Sequence, residues 1–283
     1  MSDHPGPGAV TPELFGVGGD WLAVTAGESG ASVFRAADAT RYAKCVPAAD
    51  AAGLEAERDR IAWLSGQGVP GPRVLDWYAG DAGACLVTRA VPGVPADRVG
   101  ADDLRTAWGA VADAVRRLHE VPVASCPFRR GLDSVVDAAR DVVARGAVHP
   151  EFLPVEQRLV PPAELLARLT GELARRRDQE AADTVVCHGD LCLPNIVLHP
   201  ETLEVSGFID LGRLGAADRH ADLALLLANA RETWVDEERA RFADAAFAER
   251  YGIAPDPERL RFYLVAQQAQ IWMTGSLNGR GWS

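Results

Sequence analysis

At VPGVPADRVGADD, residues 91–103, the apolar pattern of the chain changes its period. Before this segment, short runs rich in β-branched and aromatic residues predict strands at 21–25, 32–36, 42–46, 74–78 and 84–88. One helical stretch interrupts them at 53–68, with Leu54, Ile61 and Leu64 on one face and Gly66 and Gly68 closing it. After the segment, apolar residues recur at helical spacing over 104–120, 132–145, 162–179, 219–233, 237–251 and 257–270. A single β island of 184–187, 196–198 and 205–209 breaks the helices. The pattern predicts an α+β chain with two lobes. A small β-rich lobe fills 1–90, of which 1–19 reads as a flexible lead. A hinge with two prolines and two glycines spans 91–103, and a helical lobe takes 104–283. Such layouts place ligands in the cleft between lobes.

Charge narrows the function. Lys and Arg number 29 against 40 Asp and Glu, a formal net charge of −11 over 283 residues. A surface this negative repels phosphate backbones and suits a small cationic partner, so nucleic acid is excluded as the main ligand. No apolar run is long enough for a membrane span, and the first residues lack the basic and apolar regions of a signal peptide. The five cysteines form no CxxC pair, which favours neither a disulfide framework nor a zinc cluster. The expectation is a cytoplasmic protein without a membrane or an obligate protein partner.

The chemistry concentrates in VVCHGDLCLPNIVLHPETLEVSGFIDLGR, residues 185–213. An apolar strand ends at His188, a polar loop presents Asp190 and Asn195, and a second apolar strand delivers Asp210. Phosphoryl transfer from a nucleotide needs this set: one carboxylate takes the proton of the attacking hydroxyl, while an amide oxygen and a second carboxylate hold magnesium. Taken singly, these residue types serve as turn and cap residues. The other use of His188 and Asp190, as an H-x-D metal pair, lacks a third ligand at short spacing, and His188 reads as a structural residue orienting the loop. Upstream, Lys44 lies in the strand RYAKCV, where a buried ammonium needs partners. Nucleotide phosphates and a carboxylate on the following helix fit, with Glu57 the candidate and Glu55 and Asp59 its rivals. The turn GESGAS, with Ser29 and Gly30, matches neither G-x-G-x-x-G nor a Walker A loop, yet its amides and the Ser29 hydroxyl can close over phosphates.

Together, HGDLCLPN and GFIDLGRLGAADRHADLALLLANA resemble the active-site signature of the aminoglycoside O-phosphotransferases, most nearly the streptomycin 3''-phosphotransferases. GGDWLAVTAGESGASVFR, LEAERDRIAWLSGQGVP, GACLVTRAVPGVPA, CPFRRGLD and AVHPEFLP extend the likeness from residue 20 to about 265. The resemblance implies a two-lobed, protein-kinase-like fold and ATP-dependent, magnesium-assisted transfer to a hydroxyl of a cationic aminoglycoside, the 3''-hydroxyl of streptomycin, with antibiotic resistance as the outcome. It implies Asp190 as catalytic base and Asn195 and Asp210 as magnesium ligands. For the nucleotide it implies Lys44 paired with Glu57, the loop residues Ser29 and Gly30, and an adenine contact through the Thr88 carbonyl and the Ala90 amide. Arg213 would lie beside the active site, and Asp218 and Asp222 would brace the catalytic loop.

The chain departs from that pattern at its end, where Gln267 and Gln268 stand in place of the acids with which relatives bind the drug. Glu151, Glu156, Glu232 and Asp236 are the other acids offered for a cationic acceptor, against the plainer reading of a solvated helix face for WVDEERA. Three rival functions stand beside the main one. They are a kinase of the same fold for another aminoglycoside or small alcohol, a binding module without transfer, and a metal-dependent phosphohydrolase. The set Asp190, Asn195, Asp210 and Lys44 disfavours the binding module, which needs no base.

Overall fold

The computed structural model describes residues 10–24, 31–146 and 158–271, with side chains as far as Ala266. The chain forms two compact units: one is the chain up to Pro92 with Gly207–Gly212, the other is Gly93–Ser206 with Arg213 onward.

In the first unit, strands β1 (Trp21–Ala23), β2 (Ser32–Ala36), β3 (Arg41–Val46), β4 (Arg73–Gly80) and β5 (Gly83–Arg89) form an antiparallel sheet ordered β1-β2-β3-β5-β4. Alternation along the strands sets its faces. Phe34, Ala43, Cys45, Cys85 and Val87 form one buried cluster with Val17, backed by Phe15 and Trp21. Cys45 lies directly across from Cys85, their sulfurs 3.1 Å apart. Lys44, one residue out of phase with Ala43 and Cys45, faces the other way. Helix α1 (Ala51–Ser65) covers that side, burying Leu54, Ile61 and Leu64 together with Glu57.

The short segment 207–212 belongs to this unit because two glycines let it approach closely. The Phe208 amide donates to the Pro70 carbonyl at 3.1 Å. A Cβ on Gly207 would stand 2.9 Å from the Pro70 carbonyl carbon, and one on Gly71 would stand 3.1 Å from the Phe208 oxygen.

The second unit begins with a short strand β6 (Val94–Pro95), a 3-10 turn, and helix α2 (Ala101–His119). The expected hinge 91–103 is therefore partly regular: β6 pairs with β8 (Ile196–Leu198), and α2 starts three residues early behind the Gly100 cap position. Acids at Asp102 and Asp103 and bases at Arg116, Arg117 and His119 match the helix dipole at its two ends. Helix α3 (Leu132–Ala144) follows as expected. The single helix expected over 162–179 is instead α4 (Pro162–Gly171) and α5 (Leu173–Asp183), parted at Glu172 just after Gly171, a poor helix former.

The β island is also two pieces. β7 (Thr184–Cys187) pairs with β10 (Gly215–Asp218), while β8 lies between β6 and β9 (Val205–Phe208). β10 reads GAAD, small residues with little strand preference, and is a strand because β7 supplies its partner. Helices α6 (Arg219–Ala230), α7 (Glu237–Tyr251) and α8 (Pro257–Ile271) complete the unit. One buried cluster joins α3, α4, α6 and α8 through Leu132, Val136, Leu169, Ala224, Phe262 and Ala266. Elsewhere α2 packs on α7, with Trp108 Nε1 donating to the Ala243 carbonyl at 2.8 Å and its ring 5.3 Å from that of Phe247. Among the described residues, no helix is long and apolar enough to cross a membrane.

Candidate functional site

The first cluster grows from β3. Lys44 Nζ lies 2.8 Å from Glu57 Oε2 and 3.4 Å from Asp210 Oδ1. Helix spacing left Glu55 and Asp59 as rivals for this lysine, but both pair with Arg58, at 3.2 and 2.7 Å. Burial pulls the Lys44 ammonium down, yet Asp210 and Glu57 outweigh it, so its pKa stands above the ordinary lysine range and the group is a fixed cation. Gly212 closes the far side, where a Cβ would stand 3.4 Å from Glu57 Oε2.

Asp210 reaches Lys44 from an unusual backbone. Its φ is +58°, a left-handed conformation that aspartate tolerates better than most residues. Its side chain keeps 48% exposure, so the carboxylate holds the lysine and still has an open flank.

The second cluster is the loop that leaves β7. The amides of His188 and Gly189 donate to the two oxygens of Asp222, at 2.6 and 2.8 Å. Asp222, wholly buried in α6, also meets His119 Nε2 at 3.1 Å, and His119 Nδ1 meets the Tyr251 hydroxyl at 2.7 Å. Burial pushes the Asp222 carboxyl up, but the His119 contact, reinforced by the Gly189 amide, holds it below the usual range. The Asp190 amide donates to His188 Nδ1 at 3.2 Å, so His188 helps to orient the loop. Asn195 Nδ2 donates to the Asp190 carbonyl at 2.8 Å, and the Leu193 amide donates to Asn229 Oδ1 at 2.8 Å. The loop is thus held at residues 188, 189, 190 and 193. Its half-buried Asp190 carboxylate lies 3.6 Å from Arg213 Nη1.

Asp218 works one turn away. It accepts from the His220 amide at 2.9 Å, from the Tyr263 hydroxyl at 3.0 Å and from Arg259 Nη2, tying α8 to the start of α6. Asp222 therefore braces the loop directly, and Asp218 braces the helix that carries Asp222. Ligand atoms of His119, Cys187 and Asp222 all lie within 4.8 Å of one another. With the Asp222 oxygens already taken by two amides and His119, the group is a hydrogen-bonded brace rather than a cation cage.

The remaining expectations divide. The Ala90 amide donates to the Thr40 carbonyl at 2.9 Å, so it is committed within the sheet and is not open to an adenine edge; this corrects that part of the expected base contact, while Thr88 sits on β5 opposite Tyr42. Asp236 caps α7, accepting the Arg239 amide at 2.8 Å, a structural use. Glu232 follows α6 in a turn, its amide donating to the Asn229 carbonyl at 3.3 Å. Ser29, Gly30, Glu151 and Glu156, and the side chains of Gln267 and Gln268, lie outside the described residues. The residues that sequence reasoning missed are His119, Tyr251, Asn229 and Arg130. Asn229 left a signal as a polar break in the apolar run LALLLANA, and Arg130 lies in the family-like stretch CPFRRGLD.

Both clusters offer what phosphate chemistry uses: a fixed cation beside an exposed carboxylate, and a carboxylate on a braced loop to which Asn195 is tied. Comparison with known proteins agrees. Residues 20–263 match the phosphotransferase enzyme family. Over 262 residues the chain is 44% identical to the aminoglycoside 3'-phosphotransferase of Streptomyces fradiae, covering 88% of this chain and 94% of that protein. Among solved structures, the aminoglycoside phosphotransferase APH(3'')-Id of Streptomyces rimosus is 62% identical with a TM-score of 0.87, over 92% of this chain and 96% of that one. The complex of that enzyme with ADP and streptomycin matches at 61% identity and a TM-score of 0.86, with the same coverage.

Proposed function

The chain belongs to the phosphotransferase enzyme family, and we propose that it moves the γ-phosphoryl group of ATP onto the 3''-hydroxyl of streptomycin, an inactivation that confers resistance. The observation that carries the acceptor is the 61% identity, along 92% of this chain, to an enzyme that holds ADP and streptomycin together. The charge balance of 29 basic against 40 acidic residues suits a cationic acceptor.

In this reading the Asp190 carboxylate takes the proton of the acceptor hydroxyl as its oxygen attacks the γ-phosphorus. The bond from that phosphorus to the β,γ-bridging oxygen breaks, and ADP leaves. Lys44, kept charged by Glu57 and Asp210, binds nucleotide phosphates. Arg213, 3.6 Å from Asp190, keeps the carboxylate aligned and places a cation near the transferred group. Ser29 and Gly30 cover the phosphates, and the Thr88 carbonyl meets the base. Glu151, Glu156 and Glu232 are the acids left for the acceptor.

Asn195 and Asp210 fit magnesium. Both offer hard oxygen donors, and the Asn195 nitrogen is already given to the Asp190 carbonyl, which leaves its oxygen end for a cation. When bound, magnesium neutralises the phosphate charge.

The test is incubation of the purified protein with ATP, magnesium and single aminoglycosides, followed by mass spectrometry. One added phosphoryl group on streptomycin, with kanamycin and neomycin poor acceptors, is the expected result. Faster transfer to kanamycin would overturn the acceptor assignment and leave the phosphotransferase standing.

A further inference from the structure

We propose that Arg130 is a positioning residue for the transfer: reaching in from the segment ahead of α3, its side chain packs against the 188–190 loop and fixes the conformation that presents Asp190. The proposal rests on the reading of Asp190 as the base.

The loop reads His-Gly-Asp, where protein kinases carry His-Arg-Asp. Gly189 has φ +83°, and a Cβ built on it would stand 2.7 Å from Arg130 Nε and 2.8 Å from Arg130 Cδ, besides striking the Arg213 carbonyl. The volume that a side chain at residue 189 would need is therefore taken first by the Arg213 carbonyl, and beside it by the Arg130 side chain. A second glycine lies against the base of the same side chain: a Cβ on Gly215 would stand 3.3 Å from Arg130 Cβ.

The backbone that delivers the arginine is itself pinned. The Arg130 amide donates to the Ala216 carbonyl at 3.0 Å, and the Ala216 amide donates to the Phe128 carbonyl at 2.9 Å. Arg130 thus rides on β10, and β10 is paired to β7, the strand that launches the loop. Asp222 grips the loop through the amides of residues 188 and 189, while Arg130 fills the space beside Gly189.

A cation suits the spot better than an apolar stem alone. Desolvation and then the Arg213 charge bring the Arg130 guanidinium down to about 10, against the pull of Asp222 and Asp190, so it stays charged at neutral pH. Removing it would leave the Asp190 and Asp222 carboxylates closer to uncompensated and the glycine loop unsupported. Misplacing a reacting group by about 1 Å costs on the order of 10²-fold in rate.

The experiment compares wild type with R130M, R130K, D190N and the double variant R130M/D190N. Streptomycin phosphorylation gives kcat and KM, calorimetry gives ADP affinity, and thermal melts check folding. The proposal expects R130M to lower kcat about 10–10²-fold while ADP affinity and the streptomycin KM move less than about threefold. It expects R130K, which keeps stem and charge, to recover most of that loss. In the D190N background the same R130M change should cost almost nothing more, because its effect runs through Asp190. If R130M does not fold, R130Q takes its place under the same criteria. Wild-type kcat in R130M, an equal loss with and without Asp190, or ADP affinity falling in step with kcat would each overturn the proposal. D190N turning over at the wild-type rate would instead overturn the base assignment on which it stands.

Discussion

Lys44 has two carboxylates in reach, Glu57 at 2.8 Å and Asp210 at 3.4 Å. Charge-assisted contacts of this kind are worth about 1.5–3 kcal/mol, or roughly 10–10²-fold in binding. Lys44→Ala should weaken nucleotide binding by that factor, and Glu57→Ala should do so less, since the lysine keeps Asp210. Calorimetric titration with ADP checks both, and unchanged affinity in Lys44→Ala would mean that the sheet cluster does not bind phosphates. At this scale the sequence offers site candidates wherever a residue stands at a strand end or a fixed offset from one. Asp190, Asn195 and Asp210 are such residues, and Lys44 follows from the cost of an ammonium in a strand. His119, Tyr251 and Arg130 were not legible from spacing, because each meets the 188–190 loop or its brace from a distant part of the chain. No local spacing records such a meeting. The Ala90 amide shows the opposite failure: a likeness placed it at a base, and sheet hydrogen bonding had already used it.

At the scale of elements, the loop is only as firm as the helices behind it. Trp108 joins α2 to α7 through the Ala243 carbonyl and the Phe247 ring, and α2 and α7 carry His119 and Tyr251. Trp108→Ala should cost about 3–5 kcal/mol, read as a lower urea midpoint in chemical denaturation. The buried carboxylates give a pH signature. Asp222 and Asp218 both titrate below their ordinary 3.8 in the folded protein. Their contribution to stability is therefore present above that value and is lost as the pH falls through the lower folded values. Wild-type stability should drop steeply from about pH 4 downward, and Asp222→Asn, less stable at neutral pH, should show a shallower acid slope. A parallel slope in the two proteins would mean that Asp222 is not held as an anion. The helices and most strands could be read from period and punctuation. β10 could not, because Gly-Ala-Ala-Asp becomes a strand only through its partner β7. The break at Glu172 was also hidden, since apolar spacing continues across it through Leu169 and Leu173.

At the scale of the whole molecule, the switch of period at 91–103 located the change from sheet to helices. The assignment of Gly207–Gly212 to the first unit could not be read that way, because it depends on Gly71 and Gly207 permitting a close backbone approach. That assignment matters for function, since it brings Asp210 to Lys44. In the proposed function, Asp190 is the base of phosphoryl transfer, and binding of the nucleotide is a separate task of Lys44, Asn195 and Asp210. The most direct measurement pairs two titrations on Asp190→Asn: ADP affinity by calorimetry, and phosphoryl transfer to streptomycin by coupled ADP release. General-base catalysis contributes about 10²–10⁴-fold, so transfer should fall by that factor while ADP affinity stays near the wild-type value. Transfer at the wild-type rate in Asp190→Asn, or a wild-type protein that binds ADP yet phosphorylates no aminoglycoside, would contradict the proposed function.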